Sequence, residues 1–322
     1  MSRNEWLSVM DDVKSKHSEI AKVIGKGKVA LVDLPFYFNV GDMLIHKGTE
    51  RFFNDYHIDV VYRTAHRVNY SRLREVDVIV LQGGGNFGDL YHRHQQLRED
   101  IVSNFPEKKI VCLPQSIHFE SEERMISSTK KFKSHNDFHF FVRDEVSYSI
   151  GKEFTKNIYL MPDMAHSLHP LIEPCECIES LEGRPVKVLN IERVDKESSY
   201  IDRGLSKKPF DWNQIITHYE INVREVLHYL YKFKMLEDKV INNWLMLSDD
   251  IVFKSIDYFR SYDLVYTDRL HGFILSTLLG KQVVLNDNSY KKSERYFEAF
   301  MSDYPFMIKN ESSNLELMSN YK

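Results

Sequence analysis

Short apolar runs alternate with amphipathic stretches along most of this chain, and that alternation restricts the fold more than any single motif. In the first half the apolar runs fall at 29–33, 58–62, 77–81, 109–113, 139–142 and 158–161. Between them, helical periodicity covers 43–56, 90–105, 121–134 and 144–151. Strands that alternate with helices pair in parallel through right-handed crossovers, so the first half reads as a doubly wound α/β unit. The pattern breaks around Pro174, Gly183 and Pro185, and a second series follows. Its strands are expected at 185–191, 263–267 and 282–286, with helices over 214–234, 239–262 and from Leu270 onward. The segment 1–24, with Trp6, Met10, Val13 and Ile20 at helical intervals, reads as an N-terminal helix, and 290–304 as a closing one.

At 322 residues the chain exceeds one comfortable core. The expected division is 1–175 for a first domain with a glycine-rich loop, 185–289 for a second, and 290–322 for a segment returning to the first. At a net charge of -4 no strongly basic face is implied, so nucleic acid is not an expected partner. Three cysteines, Cys112, Cys175 and Cys177, form no disulfide framework and suit a reducing cytoplasm. No signal-peptide core is present in 1–24, and the longest apolar runs, such as 273–279, fall far short of the roughly 20 residues of a membrane span. The expected location is the cytoplasm, with a peripheral place at the inner face of the membrane left open.

Four motifs carry chemistry-bearing residues to strand ends, where open α/β sheets bind ligands. In Thr267-Asp268-Arg269-Leu270-His271-Gly272 a strand gives way to a helix. An arginine fork there can grip a carboxylate or phosphate, and a histidine can move a proton near neutral pH. The alternative is that Arg269 pairs with an acidic neighbour and His271 caps the helix. Gln82-Gly83-Gly84-Gly85-Asn86-Phe87-Gly88-Asp89 follows the strand at 77–81, and its glycines would let backbone amides approach an anion. Gly83, Gly85 and Gly88 match the dinucleotide fingerprint formally, but they follow the third strand, and the next strand ends in Leu113-Pro114-Gln115 where a ribose-binding acid is wanted. A tight structural turn is the other reading.

Asn39-Val40-Gly41-Asp42 follows the first strand and the aromatic loop Pro35-Phe36-Tyr37-Phe38. Asp42 is expected as the helix N-cap; in a functional role Asn39 or Asp42 would orient sugar hydroxyls. Phe141-Val142-Arg143-Asp144-Glu145 places a second arginine at a strand end, either as an anion fork or paired with Asp144 or Glu145. Leu113-Pro114-Gln115-Ser116 and Met161-Pro162-Asp163 also end strands and offer polar groups. Neither His92 with His94 nor His135 with His139 is completed by further ligands, so no metal is expected.

Taken in order, Asn39–Asp42, Gln82–Asp89, Arg143-Asp144 and Asp268–Gly272 resemble the polysaccharide pyruvyltransferase family, over about residues 29 to 300. The resemblance implies two Rossmann-like domains facing across a cleft, as in the glycosyltransferase-B arrangement. It implies that the enolpyruvyl unit of phosphoenolpyruvate moves to two hydroxyls of a sugar, giving a pyruvate ketal in exopolysaccharide or cell-envelope glycan synthesis. By position, Arg269, Leu270 and His271 match the family's donor-binding and catalytic triplet, and Arg143 its second donor-binding arginine. Gly84, Gly85, Asn86 and Asn39 join the substrate-binding set, and Asp42 becomes the candidate base for the sugar hydroxyl. Lys292, beside Lys291, adds positive charge near the cleft or is a solvated surface pair. No cofactor is implied, since phosphoenolpyruvate is a substrate; the partner is a sugar or glycan acceptor, lipid-linked or not. Two other readings stay open: a nucleotide-sugar glycosyltransferase of the same architecture, and a non-catalytic carbohydrate-binding subunit. The acceptor's identity and the oligomeric state are not legible in the sequence.

Overall fold

A computed structural model describes residues 2–177, 181, 185–191, 210–285 and 292–308. The chain groups into two compact units. One comprises Ser15–Ser167 and His218–Asp249; the other comprises Met1–Lys14, Leu168–Thr217 and Asp250–Lys322. These units are discontinuous in sequence, whereas the expected boundaries at 175, 185 and 289 are contiguous. The N-terminal helix groups with the later unit, residues 218–249 with the earlier one, and the closing segment with the later unit and not the first. Periodicity reveals that a helix has an apolar face, but not which core receives it.

The chain begins with α1 (Ser2–Ser15) and α2 (Ser18–Ile24), where the sequence suggested one helix. Between them His17 is fully buried, with Nδ1 2.7 Å from Ser167 Oγ and Nε2 3.1 Å from the Pro162 carbonyl oxygen. The rest of the first unit follows as β1 (Lys28–Val32), α3 (Val40–Asp55), β2 (Asp59–Thr64), α4 (Tyr70–Arg74), β3 (Val78–Leu81), β4 (Gly84–Gly88) and α5 (His92–Asn104). Then come β5 (Lys109–His118), α6 (Glu122–Lys133), β6 (Phe138–Val142), α7 (Glu145–Gly151) and β7 (Ile158–Leu160). The strands form one sheet in the order β2-β1-β3-β5-β6-β7, with β4 beside β5, and every pair is parallel. The chain leaves β1 toward β2 on one side, then returns past β1 to β3 on the other side and continues outward to β5. Such a reversal opens a crevice at the carboxyl ends of the strands. Strands β1 and β3 are apolar on both faces and buried throughout, as central parallel strands are, except for Lys28 at the start of β1.

The glycine-rich motif is not the strand-to-helix turn that the sequence suggested. Gly84–Gly88 forms β4, pairing Gly84 with Gln115 and Gly88 with His118, and α5 starts only at His92. Strand β5 is long enough to hold β3 along its first half and β4 along its second. Its register with β6 shifts between Cys112 and Gln115, across Pro114, which has no amide hydrogen to give the ladder. Phe87 anchors the motif in an aromatic core, 4.6 Å from Phe140 and 5.3 Å from Phe132 between ring centroids. Gly88 has φ of 130°, and a Cβ there would stand 1.7 Å from the His118 carbonyl oxygen, so only glycine fits.

Later in the chain come β8 (Val188–Ile191), α8 (His218–Leu230), α9 (Glu237–Arg260), β9 (Leu264–Thr267), α10 (Leu270–Leu278), β10 (Gln282–Leu285) and α11 (Lys292–Phe300). Helix α8 and α9 as far as Asp249 belong to the first unit. The three strands form a second parallel sheet in the order β10-β9-β8. Helix α10 is buried on every side from Gly272 to Leu278, which explains why its sequence is apolar without a polar face. Trp6, fully buried, donates from Nε1 to the Thr277 carbonyl oxygen at 2.8 Å and so ties α1 to α10.

Candidate functional site

At the carboxyl edge of the first sheet, the turn after β1 meets the turn after β3. Asn39, not Asp42, caps α3: its Oδ1 accepts from the amides of Gly41 and Asp42 at 3.0 and 3.4 Å. The cap places Asp42 in the first helical turn, where its charge is favoured by the helix dipole. Asp42 Oδ2 accepts from the Tyr37 hydroxyl at 3.0 Å. Its Oδ1 lies 3.5 Å from where a Gly84 Cβ would stand, so two motifs separated by forty residues share one spot. Burial, reinforced by Asp42 and Asp33, holds the Tyr37 phenol well above its usual value and keeps it a donor.

Beneath this spot lies a buried ion pair. Asp33, at φ of 72° just past β1, has Oδ2 2.6 Å from Arg98 Nη2 and Oδ1 2.7 Å from His94 Nδ1. The fully buried Arg98 also donates to the Asn86 backbone oxygen at 3.0 Å and to its Oδ1 at 2.6 Å. Asn86 is therefore a structural tie between β4 and α5, and its side-chain oxygen is already engaged. Gln82 and Gln115 continue the polar layer: Gln115 Nε2 donates to the Gln82 backbone oxygen at 2.7 Å, and His46 Nδ1 lies 3.4 Å from Gln82 Oε1.

Arg143 is buried next to the same glycines, its Nη2 3.0 Å from a Cβ placed on Gly85. Its partner is not Asp144 or Glu145. Nη1 is bonded to Asp163, and Nε donates to Ser116 Oγ at 3.0 Å. Asp144 instead caps α7, accepting from the amide and hydroxyl of Ser147 at 2.8 Å each. Ser116 and Asp163, read from the sequence as strand-end polar groups, are what aim this guanidinium.

In the second unit, Arg269 and His271 stand at the carboxyl end of β9, the central strand. Arg269 is the N-cap of α10, its amide donating to Thr267 Oγ1 at 3.0 Å. Gly272 leaves room for that contact, since a Cβ there would be 2.5 Å from Thr267 Oγ1. Arg269 Nη2 donates to Asp211 at 2.5 Å, a pairing 58 positions away in sequence. Leu270 and His271 form the first turn, all three residues half-buried. Lys292 is the first residue of α11, and its side chain lies outside the described part of the structure, as do Lys291 and most of the loop 194–212. Among the described residues no three His, Cys, Asp or Glu side chains gather as a metal site requires.

The family model for polysaccharide pyruvyl transferases matches residues 39–290, beginning at Asn39 itself and containing all four motifs. This chain belongs to the polysaccharide pyruvyl transferase family. It is 37% identical over 309 residues to EpsO of Bacillus subtilis, provisionally named a pyruvyl transferase, covering 92% of each chain. It is 28% identical to pyruvyl transferase 1 of Schizosaccharomyces pombe, covering 82% of this chain and 67% of that one. A crystal structure of a functionally uncharacterised Klebsiella pneumoniae protein shares the fold, with a TM-score of 0.56 at 22% identity, covering 93% of this chain and 99% of that one. The resemblance read from the motifs is thereby shown, and the chain is a transferase. Asp33, Arg98 and Asp211, which hold the candidate residues of this pyruvyl transferase family member in place, stand outside the four motifs. Arg98 carried a signal, a charge in line with Gln95, Ile101 and Val102 on the buried face of α5.

Two histidines of the first unit are neutralised by their surroundings. Burial lowers His46, with Glu50 opposing, and burial takes His66 down to about 4, helped by Arg93, His228 and Arg67. Their folded values lie below the ordinary one near 6.5, so the unfolded chain takes up protons that the folded chain does not. The stabilisation is complete above about pH 6.5 and is lost as pH falls toward 4. Chemical denaturation is expected to show stability falling below pH 6.5 by up to about 1.4 kcal/mol per pH unit for each histidine, less for the partly solvated His66. His66→Gln is expected to flatten that slope; an identical slope in the variant contradicts the assignment.

Proposed function

We propose that this chain transfers the enolpyruvyl unit of phosphoenolpyruvate to two hydroxyls of a sugar, in exopolysaccharide or cell-envelope glycan synthesis. The observation that carries the reading is His271 in the first turn of α10, next to the capping Arg269, at a strand's carboxyl end. An imidazole and a guanidinium at a helix N-terminus suit a donor that bears two anionic groups, a carboxylate and a phosphate, and must be protonated. His271 delivers a proton to the methylene carbon, and C2 becomes electrophilic. A sugar hydroxyl adds to C2 and loses its proton, Asp42 being the assigned base. The C2–O bond to phosphate then breaks, and a second hydroxyl closes the ring on C2 with loss of its proton. One donor and one diol thus give one ketal and inorganic phosphate. Arg269 and Arg143 offset the charges of the carboxylate and the departing phosphate. The proposal includes the glycosyltransferase-B-like pairing of two Rossmann-like units, an acceptor that is free or lipid-linked, and no cofactor.

Mass spectrometry of glycans incubated with enzyme and phosphoenolpyruvate tests the reaction, which adds about 70 mass units per ketal by the condensation above. Stabilisation by a nucleotide sugar and not by phosphoenolpyruvate overturns it in favour of glycosyl transfer. Arg269→Lys is expected to raise KM for phosphoenolpyruvate roughly 10- to 100-fold with a smaller change in kcat, because an ammonium cannot reproduce the two-point fork. Steady-state kinetics with an unchanged KM removes Arg269 from the donor site.

A further inference from the structure

The first unit contains an open pocket of about 340 Å³ that no part of the proposed chemistry uses. Its lining includes Arg67, Asn69, Tyr70, Tyr231, Lys232 and Lys234. Arg67, Lys232 and Lys234 are exposed and have no carboxylate partner among the described residues. The acid in the lining, Glu237, is buried and already accepts from the Tyr62 and Thr64 hydroxyls at 2.7 and 2.8 Å. Arg67 Nη1, 3.4 Å from the Lys232 carbonyl oxygen, joins the two walls. A further arginine, Arg93, stands near enough to His66, beside Arg67, to act on it, although Asp33 acts in the opposite sense.

The rim is apolar. Tyr229, Phe233 and Met235 are 59%, 46% and 91% exposed, interleaved with the two lysines. Aromatic and thioether side chains standing beside lysines that have no carboxylate partner, Lys232 lying over the Tyr229 ring at 5.5 Å, match the interface of a membrane, where rings lie at headgroup depth and ammonium groups meet phosphate. A second copy of this chain is a poor occupant: residues 226–236 contain no acid, and a two-fold contact would set lysine against lysine.

We propose that this pocket seats the terminal phosphate or diphosphate of a membrane lipid, with Tyr229, Phe233 and Met235 resting in the headgroup layer. Three cations around one cavity suit a group with two charges on several oxygens better than a single carboxylate, which one arginine fork satisfies. The pocket follows β2, the neighbour of β1, at the same edge of the sheet as Asp42. Phe36, one residue before Tyr37, packs edge-on against Tyr231 at 5.2 Å. A lipid held here presents what it carries beside the β1 turn. This deepens the reading above and rests on it for the view that the lipid's cargo is the acceptor saccharide. No described helix is long and apolar enough to cross a membrane, so attachment at the surface is the mode concerned.

Flotation with phosphatidylcholine vesicles, alone or containing phosphatidic acid or phosphatidylglycerol at equal lipid charge, tests the site without turnover. The full chain is expected to bind phosphatidic acid vesicles best and neutral ones least, with binding reduced by salt. Arg67→Gln with Lys234→Gln is expected to weaken phosphatidic acid binding roughly 5- to 30-fold and abolish the preference over phosphatidylglycerol. Phe233→Ser with Met235→Ser is expected to weaken binding to both anionic surfaces. All four residues are exposed, and unchanged thermal midpoints verify that the variants fold. Failure to float with phosphatidic acid, equal binding to both anionic lipids, or variants that bind like the parent each overturn the proposal. Pyruvyl transfer is read separately, so vesicle binding without transfer to any acceptor refutes the reaction and spares the pocket.

Discussion

Replacement of His271 by glutamine is expected to lower pyruvyl transfer roughly 100- to 10,000-fold while leaving the thermal midpoint nearly unchanged. The magnitude is that of a positioned proton transfer, and glutamine keeps the hydrogen-bonding shape without a titratable proton. The fold is expected to tolerate the change because His271 is half-buried in the first turn of α10, whereas burial of that helix begins at Gly272. The residue is also next to the cap and not the cap itself, so the Thr267–Arg269 contact survives. Turnover measured by phosphate release, beside a melting curve, checks both halves. A variant retaining turnover within threefold of the parent takes the proton-transfer role away from this residue.

Arg98→Leu is expected to have the largest effect on stability, about 3–5 kcal/mol, because it removes one partner of a buried ion pair and strands the other. Asp33 would keep only His94. The cost also includes the two bonds that hold Asn86, and with them the position of β4. Asp33→Asn alone is expected to be destabilising for the converse reason, an uncompensated guanidinium. Combined, the two substitutions are expected to cost less than the sum of the singles, since neither charge is then left alone. Urea denaturation of the four proteins gives the coupling directly. Strict additivity contradicts the pairing of Asp33 with Arg98. Loss of β4 would also disturb the Gly84–Asp42 approach, so activity is expected to fall along with stability.

Strand and helix positions were legible wherever a residue run had one dominant environment. The buried strands β1, β3 and β9 are apolar in sequence because both their faces are covered, and each lies within a residue or two of its expected place. Helix α10 begins at Leu270 as expected. The glycine-rich motif was misread because its glycines answer a neighbour distant in sequence: Gly88 yields to His118 and Gly83 to Pro114, both on β5. The cap of α3 was misassigned to Asp42 because Asn39 and Asp42 are both good caps, and only the backbone geometry chooses between them.

Alternating polarity and punctuation along the chain were enough to dictate a parallel α/β architecture, and four short motifs in order were enough to indicate the family. These are local properties: hydrophobic period, turn chemistry and residue type are written in consecutive positions. Which acid neutralises which arginine was decided by folding alone. Arg143 took Asp163, Arg269 took Asp211 and Arg98 took Asp33, although acids stood closer in sequence to each. An ion pair forms where packing brings two charges within a few ångströms out of water, and sequence distance has no part in that energy.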